Sequence, residues 1–326
     1  MKTNLPLVSI IMATFNRAYI IARAIDSVLN QSYRNLELII VDDGSADNTS
    51  DILMKYHDPR IRIFKHEKNR GATAAKNTGI KQIKGEWFTT FDSDDEMLPT
   101  AIETMIKIPL SFDQTITSVV CNCWEPISKT FLGQGLSKDG YIEYNEIMPL
   151  CKGDFWGLLK TSLLKGDSFN ENLLGNESTL WYKINGRAKG YYIHQALNIV
   201  HIEGNDRVSN LNILKVNFPR QILHYENIIN EELYLKIIKK LKPDEYYHLC
   251  RAGLFMMRIN KNNYLASKYC ELLKPLNNSF LTELAIKYEV PIIFYKTYFI
   301  LDHPIRKEVS QIKSTFFKIL NIKKHK

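Results

Sequence analysis

Three aspartates crowd the end of one short strand-like stretch, Glu86-Trp87-Phe88-Thr89-Thr90-Phe91-Asp92-Ser93-Asp94-Asp95-Glu96. The apolar and β-branched run Trp87 to Phe91 has the pattern of a buried strand, and it runs straight into Asp92, Asp94 and Asp95. Carboxylates gathered in this way repel one another and are costly to hold together. Hard oxygen ligands so placed suit Mg²⁺ or Mn²⁺, which bind through one or two carboxylates plus the phosphates of a substrate. Alternation points Asp92 and Asp94 the same way if the strand runs that far. The competing account is an acidic turn, with Asp and Ser as turn formers and a helix cap.

The elements around this stretch decide between the two. Val8 to Thr14 and Leu36 to Val41 read as short buried strands, the second ending in Asp42-Asp43-Gly44-Ser45. Apolar spacing predicts helices over Ala18 to Leu29, over a segment with Ile52, Leu53 and Tyr56 capped by Asp47, Asn48 or Thr49, and over Ala72 to Ile83. Ile61 to Phe64 is a third strand. Further on come a helix from Pro99 to about Ile108, a strand over Ile116 to Trp124 and a Gly-rich loop over Phe131 to Tyr141. A buried segment at Phe155 to Leu159 precedes a helix over Thr161 to Lys165, a second helix carrying Trp181, Tyr182 and Ile184, and a last strand over Tyr191 to Val200. Strands and helices in this rhythm predict an α/β domain with a mainly parallel central sheet flanked by helices. Ligands in such sheets bind beyond the carboxyl ends of the strands, where both acidic clusters would lie.

Beyond about Asn210 the pattern is helical only, so we expect an α/β domain over 1–209 and an all-helical extension over 210–326. The 326 residues are 45% apolar, enough for a sizeable core, with a net charge of +8. That charge is concentrated at the end, where residues 303–326 hold seven Lys or Arg against a single acid, Glu308. The body is therefore not expected to bind nucleic acid. In the tail, Val309, Ile312, Phe316, Ile319 and Leu320 follow helical spacing against Lys313, Lys318, Lys323 and Lys324. This fits an amphipathic helix on an anionic membrane surface, or a packing helix with a solvated basic face. Five irregularly spaced cysteines favour reduced thiols and a cytoplasmic location, and Cys121 and Cys123 read as core rather than as zinc ligands. The apolar run after Met1 lacks a cleavage site, and Val290 to Leu301 is too short to span a bilayer. The expected setting is therefore cytoplasmic or peripheral on the membrane's inner face.

The ordered segments VSIIMATFNR (8–17), LNQSY (29–33), LELIIVDDGSADNT (36–49), NRGATAAKNTGI (69–80), GEWFTTFDSDDE (85–96) and LLGNESTLW (173–181) resemble the family 2 glycosyltransferases. The resemblance spans roughly the first 205 residues. It implies a GT-A fold, Rossmann-like, and an inverting, metal-dependent transfer of a sugar from a nucleotide-sugar, usually a UDP-sugar. The implied acceptor is a glycan or lipid carrier in bacterial surface polysaccharide assembly. The alternatives are a protein or teichoic-acid-like acceptor, or a non-catalytic nucleotide-sugar-binding protein of the same fold.

By this resemblance Ala13 and Thr14 line the base pocket, and Asp43, beside Asp42, accepts the uracil N–H. Arg70 and Lys76 stand near the family's basic position facing base or diphosphate. Asp92-Ser93-Asp94 is the Asp-X-Asp motif, with Asp92 toward ribose, donor sugar and metal and Asp94 on a Mn²⁺ or Mg²⁺ ion. Inversion needs a base opposite the leaving group. The family places a Glu-Asp pair there, which here is Asn176-Glu177, so Glu177 is the expected base. Its structural alternative is a carboxylate favoured by the helix dipole. His201 and Arg207 fall on the family's diphosphate-closing loop, and Trp156 is either a sugar-stacking ring for the acceptor or core.

Overall fold

The computed structural model describes residues 5–147, 151–172, 177–202, 218–276 and Thr282. One ten-stranded sheet organises the first part of the chain. Strand β1 (Val8–Thr14) lies between β2 (Leu36–Asp42) and β4 (Trp87–Thr90), with β3 (Ile61–Lys65) outside β2 and every pairing parallel. The crossovers are the helices α1 (Ile21–Leu29), α2 (Thr49–Leu53) and α3 (Ala72–Ile80). All seven residues of β2 are buried, as a strand covered on both faces requires.

Beyond β4 the sheet is mixed. Strand β6 (Ser118–Glu125) runs parallel to β10 (Gly190–Ile199), and β9 (Phe155–Lys160) is wedged antiparallel between β4 and β6. Three short strands complete the sheet: β5 (Glu96–Met97) and β8 (Gly140–Ile142) pair with β10, and β7 (Thr130–Phe131) pairs with β6. The helices α4 (Ala101–Lys107), α5 (Tyr144–Ile147) and α6 (Ser178–Arg187) complete this region.

Four details depart from the sequence reading, each for a local reason. The segment Thr161 to Lys165 forms only a three-residue 3-10 turn, Thr161–Leu163, because Lys165 takes a positive φ and stops it. The Gly-rich loop over Phe131 to Tyr141 contributes β7 and β8, which are too short to show periodicity. The buried segment Phe155 to Leu159 is a strand that reverses direction in the sheet. Finally, β4 ends at Thr90, so strand alternation does not govern Asp92 and Asp94.

One face of the sheet packs Val8, Ile10, Met12, Leu38, Ile40 and Trp87 against α1 and α4, with Cys121, Cys123 and Trp156 in the same cluster. The other packs Ile11, Ile39, Val41 and Phe88 against α3 and α6. Both cysteines are buried free thiols, and burial pushes Cys121 up to about 12.

The chain divides into two compact units, Met1–Ile213 with Asn230–Lys240, and Leu214–Ile229 with Leu241–Lys326. Helix α8 (Glu232–Ile238) packs Leu233 and Ile237 against Ile142, Tyr144 and Tyr192 of the first unit. The second unit holds α7 (Phe218–Ile228), α9 (Pro243–Ile259) and α10 (Asn263–Leu273). There Asn262 caps α10 by accepting from the Leu265 amide, and Tyr269 donates to the Tyr225 carbonyl.

Candidate active site

Several of the expected site residues gather where β1, β2 and β4 end. Strand β2 delivers Asp42 and Asp43 into a turn. Asp42, 1% exposed, accepts from the Ser45 amide at 2.9 Å and the Ser50 hydroxyl at 2.9 Å, so it holds the entry to α2. Asp43 is 2% exposed and points the other way. It accepts from the Arg70 amide at 3.0 Å, the Gly71 amide at 2.6 Å and His66 Nδ1 at 2.6 Å. The far ring nitrogen of His66 meets the Thr78 hydroxyl at 2.9 Å. Gly71, at φ +95°, adopts a backbone that only glycine takes readily, and it opens α3 at this point. Asp43 therefore fixes the start of α3 from the end of β2. Thr14 accepts the Asp43 amide at its carbonyl, while its own buried hydroxyl has no hydrogen-bond partner among the described residues. Ala13 lies one residue before it, half-buried.

After β4 the chain turns, with the Asp95 amide on the Asp92 carbonyl, and the three carboxylates diverge. Asp95 is 7% exposed and accepts from Asn198 on β10 at 3.1 Å. Asp94 stands 3.9 Å from the Arg17 guanidinium, and its carbonyl accepts from Arg23 at 2.5 Å. Asp92 is the open one, with its side chain 62% exposed and Oδ1 3.4 Å from Lys76 Nζ. Ser93 between them is buried. Among the described residues no group of three or more His, Cys, Asp or Glu side chains is gathered as a metal cage. Asp92 and Asp94 remain a pair of hard oxygen donors, suited to a cation that takes the rest of its shell from phosphates.

Lys76, on α3, ties this loop to the far side of the site. Its side chain is 9% exposed, and Nζ lies 3.0 and 3.1 Å from the two carboxylate oxygens of Glu177, at the start of α6. Burial disfavours the ammonium, but Asp92 and Glu177 outweigh that and raise its pKa above the ordinary lysine value. One ammonium thus separates the expected donor-sugar carboxylate from the expected base. Glu177 meets Lys76 across the site; its side chain makes no cap hydrogen bond to α6.

The remaining expected residues spread further. Arg70 uses its amide on Asp43 and its guanidinium on Glu171, 3.0 Å away. His201 follows β10 and lies 3.3 Å from Glu96 of β5. Arg207 and Asn176 lie outside the described residues. Trp156 belongs to the core: it is 8% exposed, packs edge-on against Phe91 and donates to the Thr90 carbonyl at 3.1 Å. Sequence reasoning assigned no role to Arg17, Arg23 or His66. Arg17 carried a signal, since it sits in the loop directly after β1 at the same sheet edge as the acidic clusters. Arg23 and His66 carried none.

A mainly parallel central sheet flanked by helices, with two acidic loops at its carboxyl edge, has the architecture of the GT-A fold. The chain belongs to glycosyltransferase family 2, whose model, Glycosyl transferase family 2, matches residues 9–158. It is 32% identical over 320 residues to the GalNAc(5)-diNAcBac-PP-undecaprenol beta-1,3-glucosyltransferase of Campylobacter jejuni, a match covering 95% of this chain and 98% of that protein. That match includes the helical extension, which the sequence motifs do not reach. The UDP-Glc:alpha-D-GlcNAc-diphosphoundecaprenol beta-1,3-glucosyltransferase of Escherichia coli is 33% identical over 164 residues, 50% of this chain and 64% of that one. Among solved structures, Staphylococcus aureus TarS 1-349 in complex with UDP-GlcNAc superposes with a TM-score of 0.64 at 16% identity, covering 89% of this chain and 92% of that one. At that identity the likeness speaks for the fold. No helix among the described residues is long and apolar enough to cross a membrane.

Proposed function

We propose that this glycosyltransferase moves glucose, with inversion, from UDP-glucose to a hydroxyl of a glycan carried on a lipid diphosphate, in surface polysaccharide assembly. One observation supports the reading: Glu177 and Asp92 share the Lys76 ammonium, so the carboxylate we assign as base lies opposite the Asp-X-Asp loop. The two glucosyltransferase relatives supply the donor and acceptor classes, since their names give a diphosphoundecaprenol-linked acceptor and one gives UDP-Glc.

In this account Ala13, Thr14 and Asp43 form the wall that receives the base, with Asp42 and Arg70 holding its turns. Asp92 and Ser93 face the ribose and donor sugar, while Arg207 and His201 close on the diphosphate. Asp92 and Asp94 would hold Mn²⁺ or Mg²⁺, which when bound offsets the charge that develops on the departing diphosphate. Glu177 takes the proton of the acceptor hydroxyl as that oxygen attacks the anomeric carbon. The bond to UDP breaks on the opposite face, giving the β-linked product from an α-linked donor. Asp167, another acid in this part of the chain, is bound to Arg187 at 2.6 Å and to Lys183 at 3.4 Å, so we assign it to the fold. The basic segment 303–326 lies outside the described residues, and we assign it to the membrane surface that carries the acceptor.

The test is transfer of labelled glucose from UDP-glucose to an undecaprenyl-diphosphate-linked N-acetylhexosamine, with Mn²⁺ and with EDTA. The expected result is a β-linked product that needs the divalent ion and disappears in Asp94→Asn, with the fold unchanged by circular dichroism. Equal turnover in EDTA would remove the metal from the reading. UDP release from no sugar nucleotide at all would leave a binding protein of this fold.

A further inference from the structure

Beyond the residues that would touch donor or acceptor, α3 presents two neighbouring polar side chains that grip the segment leading to the base. Asn77, 4% exposed, donates to the Phe169 carbonyl at 2.9 Å, accepts the Phe169 amide at 2.9 Å and reaches Glu171 at 3.1 Å. Lys76 takes hold of Glu177 at the other end of the same segment. A buried lysine is costly unless it is paired, and here it is paired with the two carboxylates on either side of the reaction centre.

We infer that Lys76 is a positioning residue for Glu177, holding the base at a fixed reach from the Asp92 loop. The inference rests on Glu177 being the base in the reading above. An ammonium carries three donors, and it meets each Glu177 oxygen once, leaving further lone pairs on each for an acceptor hydroxyl. Asp92 Oδ1 is its third neighbour. The Lys76 ammonium therefore joins the donor side of the site to the acceptor side, and the start of α3 is itself pinned by Asp43. Without Lys76, Asp92 and Glu177 would face each other as like charges, and the base would lose the contact that aims it. The contrasting role, expected from the sequence, is a direct contact between Lys76 and the donor diphosphate.

The two roles separate kinetically. Lys76→Met, Lys76→Arg, Glu177→Gln and the Lys76→Met/Glu177→Gln double variant are compared in the full chain. UDP affinity is read by calorimetry, and turnover at saturating UDP-glucose by product formation. If Lys76 aims the base, Lys76→Met lowers kcat by about 10²-fold or more while UDP affinity changes less than about threefold, the general-base contribution being about 10²–10⁴-fold. Lys76→Arg then recovers at least a tenth of the wild-type rate, and the double variant is no slower than Glu177→Gln alone, because both act on one step. A large loss of UDP affinity with kcat retained overturns the positioning role and makes Lys76 a donor ligand. Near-normal turnover in Glu177→Gln removes the base, and the positioning role with it. A dead Glu177→Gln beside an active Lys76→Met overturns the positioning role alone. Should Lys76→Met fail to fold, the Lys76→Arg and Lys76→Gln pair makes the same comparison.

Discussion

Asp43 offers the sharpest test of how the site is built, because the sequence expects it to face a ligand while the structure binds it to the protein. Its carboxylate receives the Gly71 amide at 2.6 Å, the Arg70 amide at 3.0 Å and His66 Nδ1 at 2.6 Å, all within a site 2% exposed. Replacing it with alanine strands these donors, each unsatisfied buried group costing about 1–3 kcal/mol. The losses do not add fully, since His66 can turn and water can enter beside Arg70. The whole cost should then be about 3–5 kcal/mol, as for removing one partner of a buried pair. For a unit of this size that lowers the melting temperature by about 6–20 °C. Asp43→Asn keeps one carbonyl acceptor and should lose less than half as much. Differential scanning calorimetry of both variants reads the effect, with UDP affinity measured alongside. An Asp43→Ala protein that melts within about 2 °C of wild type yet no longer binds UDP would refute the reasoning. It would make Asp43 a ligand contact with no part in holding α3.

Two further outcomes can be measured directly. A chain lacking residues 303–326 should leave anionic vesicles in sedimentation while binding UDP normally, since each surface Lys or Arg contributes about 1 kcal/mol near such a leaflet; a full chain that ignores the vesicles at low salt would make the tail a packing helix. Burial pushes the Glu37 carboxyl up, but bonds from Ser9, the Lys84 amide and Arg62 outweigh it and hold it below the ordinary glutamate value. Its contribution is therefore present above pH 4.5 and is lost as pH falls through that value toward the folded one. Glu37→Gln should cost about 1–3 kcal/mol in urea unfolding at pH 7 and progressively less as pH falls below 4.5; an offset that does not shrink with acid would discard the ion pair.

The parallel half of the sheet was legible in the sequence because its central strands β1 and β2 are apolar runs buried on both faces and closed by polar residues. The run LELIIV ending in Asp42 is such a case, and β2 stops there. The mixed half was harder to read. Strand β9 has only six residues and reverses direction, which no periodicity encodes, and β5 is two residues within the acidic stretch itself. The acidic loops were visible as clusters, yet the fates of their members were not. Asp92 is open, Asp94 faces two arginines and Asp95 is buried on Asn198, a division set by partners 71 and 103 residues distant in sequence. Lys76 shows the same limit: the sequence sets it near the basic position facing base or diphosphate, while its pairing with Glu177 depends on α6, 101 residues further on.

The origin of α3 at Gly71 has a consequence for how this chain can vary in length. A helix turns about 100° per residue, so its start fixes the compass bearing of everything along it. One residue gained or lost between Ala72 and Ala75 would swing Lys76 by that angle, away from both carboxylates, even with every contact at the Asp43 anchor intact. The four residues from Ala72 to Ala75 therefore behave as a ruler, their number setting the bearing of Lys76.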